Sequence, residues 1–421
     1  MAVTATTVSE ACAAAGRAAR VLASAPTEAR DAALQATARL LGERTAEILE
    51  ANAADLADER AAGLSEALRD RLTLSEERVA AMAEGVRAIA ALPDPVGEEL
   101  EHRRLASGLD LRKVRVPLGV VAVVYEARPN VTIDCAALTL KSANAIVLRG
   151  SSYAERSNGA LAAVVREALA EAGLPEDAVL LLTGGGREDL AELATQEGAV
   201  DLLIPRGGEG LKEALKAVAT VPVMYAAAGN CHVYVHAGAD LEMARRIALN
   251  AKTQRPGVCN AAETLLVDAA IAADFLPMVF ADLRDAGVEL RGDERARELA
   301  GDVDVEPASE EDWDTEYLDL KLAVAVVDSV GEAVEHVNAH GTGHSEAIVT
   351  AAADAAEQFV AGVDAAAVYV NASTRFTDGF EYGMGAEIGN STQKLHARGP
   401  IGLRELTTYK YVVHGDGQVR E

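Results

Sequence analysis

Hydrophobic and polar residues alternate with two different periods along this chain, and the change of period divides the sequence. Residues 1–93 alternate alanine and leucine with arginine and glutamate at helical spacing, with breaks near Pro26, Gly63 and Pro93. This spacing predicts several amphipathic helices. From Val116 onward, short apolar runs alternate with helical patterns, which predicts parallel sheets covered by helices on both faces.

Two such α/β series follow one another. Strands of the first are predicted at "VPLGVVAVVYE", "NAIVLRG", "AVLLLTGGG", "DLLIPRGG" and "VPVMYAA". Strands of the second are predicted at "HVYVHA", "ETLLVD", "LKLAVAVVD", "SEAIVT" and "AAVYVNA". We therefore expect two α/β domains, at 1–228 and 229–371, followed by a return segment at 372–421.

Two strand-like segments fall outside this alternation, residues 101–116 and the late "LTTYKYVVHG". The late segment has no sequential neighbour, so it must pair out of order or with another subunit. Because arms of this kind commonly build subunit interfaces, we expect a small β oligomerisation arm and a homo-oligomer.

Composition limits the classes of partner. The 421 residues suit two domains, and half are hydrophobic but only 4% aromatic, so aliphatic side chains must fill the core. A formal charge of −27 argues against nucleic acid and anionic membranes as partners, and any anionic substrate must meet local cations. With no secretory signal, no long apolar run and four widely spaced cysteines, we expect reduced thiols and a cytoplasmic protein.

Cys259 is distinguished by its position after a Pro-Gly turn, in "TQRPGVCNAAET". A thiol there can fill the core, bind a metal or act as a nucleophile. The other cysteines, Cys12, Cys135 and Cys231, have apolar or strand-forming neighbours, which is typical of buried and inert thiols.

Glycine-rich turns follow three strands of the first series, at "RGSS", "TGGGRED" and "PRGGEG". Glycine lets the backbone approach a phosphate, and the following helix presents its N-terminal amides. Each turn alone is more often an ordinary strand-to-helix connection. Three in one sheet favour a dinucleotide site.

One set of histidines has the spacing of metal ligands, since His336, His340 and His344 are four residues apart. Gly341 and Gly343 interrupt the helix that would place all three on one face. We therefore favour a turn with incidental histidines and predict no metal.

Longer segments, in order from about Leu111 to the C-terminus, resemble gamma-glutamyl phosphate reductases, a branch of the aldehyde dehydrogenase superfamily. They are "PLGVVAVVYEARPNV", "IVLRGSS", "IPRGGEGL", "AGNCHVYV", "AKTQRPGVCNAAETLLV", "VNAHGTGHSEAIVT" and "NASTRFTDGFEYGMGAEIGNSTQKLHARGP". The resemblance implies an aldehyde-dehydrogenase-like α/β fold, with a Rossmann-type cofactor domain, a catalytic thiol domain and an oligomerisation arm. It also implies NADPH-dependent reduction of L-glutamate 5-phosphate to L-glutamate 5-semialdehyde and phosphate in proline synthesis. Contact with glutamate 5-kinase, which makes that substrate, is a further partner it suggests.

The resemblance assigns the nucleophile to Cys259, whose thiolate would form a thioester and release phosphate before hydride reduces it. The backbone amide of Cys259 and the side-chain amide of Asn130 match the oxyanion hole, although Asn130 after Pro129 also reads as a turn residue. Ala226 stands about where hydrolytic relatives carry a glutamate base. That loss protects a thioester from water, and it also fits CoA-acylating relatives.

The cofactor residues implied are Arg149, Ser152, Gly207, Gly208 and Glu316. Arg149 stands where relatives bind the adenosine ribose, and Ser152 replaces the acid of NAD-preferring relatives, which favours a 2′-phosphate and NADPH. A surface arginine is the alternative for Arg149. Glu316 matches the glutamate that holds the nicotinamide ribose, a weak match in so acidic a chain.

The candidates for binding the anionic substrate are Arg128, Arg255, Arg375 and Arg398, since guanidinium groups suit phosphate and carboxylate. Surface salt bridges are the alternative for each. We expect Arg255, with Arg128 second, to receive the phosphate, and Arg375 to receive the carboxylate.

Two other functional classes stay open. A CoA-acylating aldehyde dehydrogenase would use the same thiol with a different acyl donor. A catalytically silent homologue would serve as a binding protein, although the intact Cys259 and Asn130 argue against it.

Overall fold

The computed structural model describes residues 7–184, 186–225 and 228–420, and the chain divides into two compact units. The first contains Met1–Tyr225, Gly383–Gly389 and Ile401–Glu421, and the second contains Ala226–Tyr382 and Asn390–Pro400. The units thus divide the predicted return segment 372–421 between them.

In the described residues before the first strand, five α-helices form, as the helical spacing of residues 1–93 predicts. They are α1 (Val8–Leu22), α2 (Thr27–Glu43), α3 (Thr45–Leu56), α4 (Glu66–Leu72) and α5 (Glu76–Ala91). A capping box begins α1, in which the Thr7 hydroxyl accepts the Glu10 N–H and the Glu10 carboxylate accepts the Thr7 N–H. Such caps satisfy the free amides of a first turn and so fix where the helix begins.

The first unit continues with strands and helices in alternation. They are β1 (Glu99–Arg104), β2 (Asp110–Pro117), β3 (Val120–Tyr125), α6 (Asn130–Lys141), β4 (Ala145–Arg149), α7 (Glu155–Glu171), β5 (Val179–Leu181), α8 (Arg187–Ala194), β6 (Leu202–Arg206) and α9 (Glu209–Lys216). Four of the strands form a parallel sheet in the order β5-β4-β3-β6. The order reverses between β3 and β6, which is where open α/β sheets bind ligands.

Two strand predictions in this unit are wrong. The segment "VPLGVVAVVYE" is two strands in different sheets, because Gly119 turns the chain with a φ of +132° and packs against Asp201. The segment "VPVMYAA" forms no strand within its described residues, since only Val223 bridges to Leu203.

The second unit contains the other α/β series. Its elements are β7 (Cys231–Val235), α10 (Leu241–Thr253), β8 (Ala262–Asp268), α11 (Ala269–Asp285), β9 (Glu289–Gly292), α12 (Glu294–Glu298), β10 (Glu306–Pro307), α13 (Glu310–Trp313), β11 (Lys321–Val327), α14 (Val330–His340), β12 (Ser345–Val349), α15 (Ala353–Gly362), β13 (Ala367–Val370), β14 (Asn390–Ser391) and β15 (Gly399–Pro400). Seven strands form one parallel sheet, in the order β10-β9-β11-β8-β7-β12-β13. The sequence did not predict β9 and β10, which are short and partly exposed.

The late strand, β16 (Thr407–His414), pairs antiparallel with β2 from Thr407 opposite Pro117 to His414 opposite Asp110. It completes a three-stranded sheet in the order β1-β2-β16. The sequence left two alternatives for this strand, pairing out of sequential order or pairing with another subunit. Within the chain it pairs out of sequential order, with β2. Asn144 supports this arrangement, because its amide donates to the Leu406 carbonyl and accepts from the Gly119 N–H.

Across the described part of the chain, the helices are all too short or too polar to cross a lipid bilayer.

Candidate active site

Cys259 lies in the turn between α10 and β8, at the amino-terminal edge of the seven-stranded sheet. Helix α10 ends at Thr253, and a turn through Pro256 and Gly257 leads to the half-buried cysteine. The strand that follows is buried throughout its length. The turn that carries Cys259 is thus held at both ends, by helix α10 before it and by the buried strand β8 after it.

The backbone of Gly229 packs directly against Cys259. A Cβ atom placed on Gly229 would lie 1.5 Å from the Cys259 carbonyl oxygen, so only glycine fits there without moving that carbonyl. The Gly229 N–H donates to the Glu316 carboxylate at 2.7 Å. Glu316, assigned to the nicotinamide ribose by resemblance, therefore also holds the backbone beside the candidate nucleophile.

A second thiol also contacts this turn. The Cys231 Sγ donates to the Cys259 carbonyl oxygen at 3.2 Å, and burial raises the pKa of Cys231 well above its usual value, so it stays a neutral donor. The wide spacing of the four cysteines along the sequence therefore did not reveal that Cys231 contacts this turn. The two cysteines are 28 positions apart in sequence, and parallel pairing of β7 with β8 brings them together.

Arg375 is held across the Cys259 turn. Its Nε donates to the Gln254 side chain at 2.9 Å, and its carbonyl accepts from the Asn260 side chain at 3.3 Å. Burial lowers the pKa of Arg375 and the like charge of Arg255 lowers it further, whereas Cys259 acts in the opposite direction. Of the four predicted arginines, Arg375 thus interacts electrostatically with both Arg255 and Cys259.

The other two arginines occupy different places. Arg398 pairs with Asp364 at 2.8 Å, in the turn between α15 and β13. This ion pair matches the surface-bridge alternative that the sequence left open. Arg128 is half-buried in the first unit and directly precedes α6 with Pro129.

Asn130 is the first residue of α6 and is exposed. Its side-chain amide donates to the Asp134 carboxylate at 3.0 Å, one helical turn later. Burial raises the pKa of Asp134 to about 6, and the bond from Asn130 opposes that rise. An amide nitrogen carries two hydrogens, so this bond orients the group and leaves one N–H directed elsewhere.

The Gly207–Gly208 turn follows β6 at the point where the strand order reverses. The Gly208 N–H donates to the Glu126 carboxylate at 3.0 Å, and a Cβ on Gly207 would lie 2.8 Å from both that carboxylate and the Leu211 side chain. A side chain here would therefore require the ends of the Glu126 and Leu211 side chains to move. The Glu126 carboxylate thus accepts the hydrogen bond of the Gly208 N–H, which we expected from the sequence to face a cofactor phosphate.

A cavity lies at the carboxyl ends of β4 and β5. Arg149 and Ser152 line it, as the sequence predicts for a cofactor site, together with other polar and apolar residues: Arg60, Gly150, Ser151, Glu155, Asn158, Leu181, Leu182, Thr183, Gly184 and Asp189. Arg149 donates to the Gly186 carbonyl at 2.6 Å, and burial lowers its pKa.

Although Ser152 replaces the acid of NAD-preferring relatives, two other acids, Glu155 and Asp189, share the cavity of Arg149. Glu155 begins α7 shortly after Arg149, whereas Asp189 belongs to α8 and is distant from Arg149 in sequence. Arg60 partly offsets the negative charge of Glu155, since its guanidinium lies 3.8 Å from the Glu155 carboxylate. Arg60 also pairs with Asp58 at 2.9 Å. The sequence did not single out Arg60.

The spaced histidines do not converge. His336 and His340 share α14 with ring centroids 4.6 Å apart, whereas His344 lies beyond the helix and hydrogen-bonds Ser345. Burial lowers the pKa of His336 to about 3 and of His344 to about 4. Among the residues that the structure describes, no three His, Cys, Asp or Glu side chains are arranged to hold a metal ion. Ala226, the position of the missing base, lies outside the described residues.

Sequence reasoning missed several residues that shape the site, among them Gly229, Cys231, Lys252 and Glu263. Glu263 alone was visible in the sequence as an exception, because a glutamate interrupts the otherwise apolar strand "AAETLLV". The close approach of Gly229 leaves no such mark, since glycine is common in connecting segments.

Comparisons with known proteins agree on one family. Residues 1–296 match the model of the aldehyde dehydrogenase family. The chain is similar to a gamma-glutamyl phosphate reductase of Thermobifida fusca, at 56% identity over 399 residues that cover 95% of each chain. A crystal structure of gamma-glutamyl phosphate reductase from Thermotoga maritima gives a TM-score of 0.96 at 48% identity, covering 99% of this chain and 100% of that one. An acetylating aldehyde dehydrogenase from Geobacillus thermoglucosidasius, at 19% identity and a TM-score of 0.69, over 98% of this chain and 97% of that one, shares the fold alone.

We expect Gly229→Ala to lower the free energy of unfolding by about 1–3 kcal/mol or more, because its Cβ must displace backbone atoms of Cys259. The control is Gly238→Ala in the same unit, where the nearest atoms lie at 3.4 Å and permit a methyl group. Urea unfolding of both variants measures the difference. Equal effects would contradict the packing described here.

Proposed function

This chain belongs to the gamma-glutamyl phosphate reductases of the aldehyde dehydrogenase family, and we propose that it performs their reaction through the thiol of Cys259. The enzyme is an oxidoreductase of proline biosynthesis that reduces L-glutamate 5-phosphate to L-glutamate 5-semialdehyde and phosphate. The observation that carries the proposed role of Cys259 is its turn, in which Gly229 and the Cys231 thiol hold the Cys259 carbonyl and the Arg375 guanidinium interacts electrostatically with the thiol.

The chemistry follows from that arrangement. The Cys259 thiolate attacks the acyl carbon, forms a carbon–sulfur bond and breaks the bond to the phosphate oxygen, so that phosphate leaves. Cations near a thiol favour the thiolate, which is the role we assign to Arg255 and Arg375. The nicotinamide cofactor, when bound, supplies the hydride that reduces the thioester. The carbon–sulfur bond then breaks, which releases the aldehyde and restores the thiolate.

We assign the oxyanion donors to the backbone N–H of Cys259 and the side chain of Asn130. A donor is effective when its orientation is set before charge develops. The hydrogen bond from Asn130 to Asp134 supplies such orientation for the amide. The Gly229 contact restrains the Cα and carbonyl of Cys259, which follow that N–H in the chain.

Cys259→Ser should abolish reduction, because an alkoxide forms far less readily than a thiolate at neutral pH. A glutamate kinase, glutamate and ATP generate the substrate, and loss of NADPH absorbance measures turnover. The control is Cys135→Ala, since burial raises the pKa of Cys135 to about 12 and removes it from such chemistry. More than a few per cent of activity in Cys259→Ser would remove this thiol from the mechanism. An acyl-CoA substrate assayed in parallel tests the CoA-acylating alternative.

For the cofactor, the family uses NAD(P), and we propose NADPH for this chain. Arg149, Ser152 and Arg60 would hold the 2′-phosphate in their shared cavity, with Leu181 and Leu182 as its apolar wall. Arg60 offsets the charge of Glu155, which otherwise opposes a phosphate. Glu316 stays the candidate for the nicotinamide ribose.

Arg149→Glu and Arg60→Ala should each weaken binding of 2′,5′-ADP by roughly 10- to 100-fold, because each loses a charged hydrogen bond to the 2′-phosphate. Binding of 5′-AMP, which lacks that phosphate, should change far less. Isothermal titration calorimetry measures both ligands on the intact enzyme. The control is Arg87→Glu, an exposed arginine of α5 that pairs with Glu84. If 2′,5′-ADP and 5′-AMP lose affinity equally, the cavity does not select NADPH.

We propose two anchors for the substrate, Arg255 for the departing phosphate and Arg375 for the α-carboxylate. In the reverse, aldehyde-oxidising direction, Arg255→Ala should raise the KM for phosphate roughly tenfold or more. Arg375→Ala should instead raise the KM for glutamate semialdehyde. Arg284→Ala, an exposed arginine of α11 paired with Asp285, is the control. If both substitutions affect the same ligand, the division of roles is wrong.

We also propose a cytoplasmic homo-oligomer joined through the β1-β2-β16 sheet. Both outer strands of this sheet are edges, and β16 exposes Tyr409, Tyr411 and Val413. Exposed apolar edge strands favour pairing with another chain. Light scattering of the intact chain measures the mass, and a monomer would refute the proposal.

Contact with glutamate 5-kinase, tested by cosedimentation, remains a proposal of the family resemblance.

A further inference from the structure

Lys252 and Glu263 form an ion pair that is wholly excluded from water. The Lys252 Nζ lies 2.6 Å from the Glu263 Oε2, and both side chains have 0% exposure. Lys252 belongs to the last turn of α10, and Glu263 is the second residue of β8. The pair therefore joins the two ends of the turn that carries Cys259.

Stability alone does not explain this pair. Taking two charges out of water offsets much of their attraction, and apolar replacements of buried pairs are often neutral or stabilising. Burial raises the pKa of Glu263 to about 7 even though Lys252 opposes the rise. Stability therefore gives no strong reason to keep two charges here instead of two apolar side chains.

The same carboxylate holds a second segment of the site. The Leu318 N–H donates to Glu263 Oε1 at 3.3 Å, and Leu318 has a φ of +54°, a conformation that leucine seldom adopts. The Leu318 carbonyl oxygen lies 3.6 Å from the position of a Cβ on Gly257, so it contacts the Cys259 turn. Two residues before Leu318, Glu316 holds the Gly229 N–H.

We propose that the Lys252–Glu263 pair positions Cys259 for reaction. Lys252 fixes the chain before the turn, and Glu263 fixes the chain after it. Through its hydrogen bond with the Leu318 N–H, Glu263 also positions the segment that contains Glu316 and Leu318. The Leu318 carbonyl of this segment contacts Gly257, and Glu316 holds Gly229 against the Cys259 carbonyl. Both are positioning residues, since they act on the thiol through the backbone that carries it. The inference rests on the proposed role of Cys259 as nucleophile.

The main test replaces the pair with apolar side chains, as Lys252→Met together with Glu263→Met. We expect the urea midpoint to stay close to that of the wild type, while kcat falls by roughly tenfold to a hundredfold because the thiol is misplaced. The affinity for 2′,5′-ADP, which lacks the nicotinamide ribose assigned to Glu316, should change less than about twofold, since the residues proposed to bind it lie in the unaltered first unit. The rate at which iodoacetamide alkylates Cys259, measured without substrate, should change by a similar factor to kcat.

The control removes another ion pair from the same helix, as Arg245→Met together with Asp282→Met. Arg245 of α10 pairs with Asp282 of α11, away from the turn. This variant should keep both kcat and the alkylation rate. Glu263→Asp is the second test, because it retains the charge and shortens the reach by one methylene. It should lower kcat several-fold with an unchanged urea midpoint.

Unchanged kcat and alkylation in the apolar double variant would overturn the proposal, and so would full activity of Glu263→Asp if the double variant does not fold. Failure of the proposed function gives a different result. In that case the wild-type enzyme does not reduce glutamyl phosphate, or Cys259→Ser retains activity, whereas the alkylation rate still reports how the pair positions the thiol.

Discussion

The contact between the Gly229 backbone and the Cys259 carbonyl is the constraint on which the amino-terminal edge of the second sheet depends. Because no side chain fits between them, the peptide at Cys259 cannot rotate without moving β7. Glu316 and the Cys231 thiol hold the same two peptides by hydrogen bonds. A cysteine on a turn thereby acquires the rigidity of a residue in a sheet, which a positioned nucleophile needs.

Electrostatics in this chain operate at two scales. A net charge of −27 repels an anionic ligand at long range, whereas Arg255 and Arg375 stand close enough for each to feel the charge of the other. Like charges are held together only where the fold provides anchors, here Gln254 and Asn260 for Arg375. Such an arrangement favours an anion between them, since it relieves their repulsion. Arg149 and Arg60 also share a cavity, but there two acids, Glu155 and Asp189, offset part of the positive charge.

Periodicity predicted most of the fold, because buried strands and amphipathic helices leave patterns that depend on neighbours in sequence. Periodicity failed where the backbone conformation or the shortness of a strand breaks the hydrophobic pattern. Gly119 divides one apolar run into two sheets, and the short β9 and β10 carry too few buried positions to be seen. Motifs indicated Cys259 and Arg149, but the roles of Cys231, Glu126 and Glu155 depend on contacts between residues distant in sequence. No local pattern records such contacts, so these required the structure.

Strand β16 pairs with β2, and Arg115 and Thr407, which hydrogen-bond at their junction, are 292 residues apart in sequence. The whole second unit lies between these partners in the chain. During synthesis, β2 therefore leaves the ribosome long before the strand that covers it. Pairing at such separation must overcome a large loop-closure entropy, which falls once the intervening residues have folded into a compact body. The order of synthesis thus favours completion of the inserted unit first, with the C-terminal strand closing the first unit last.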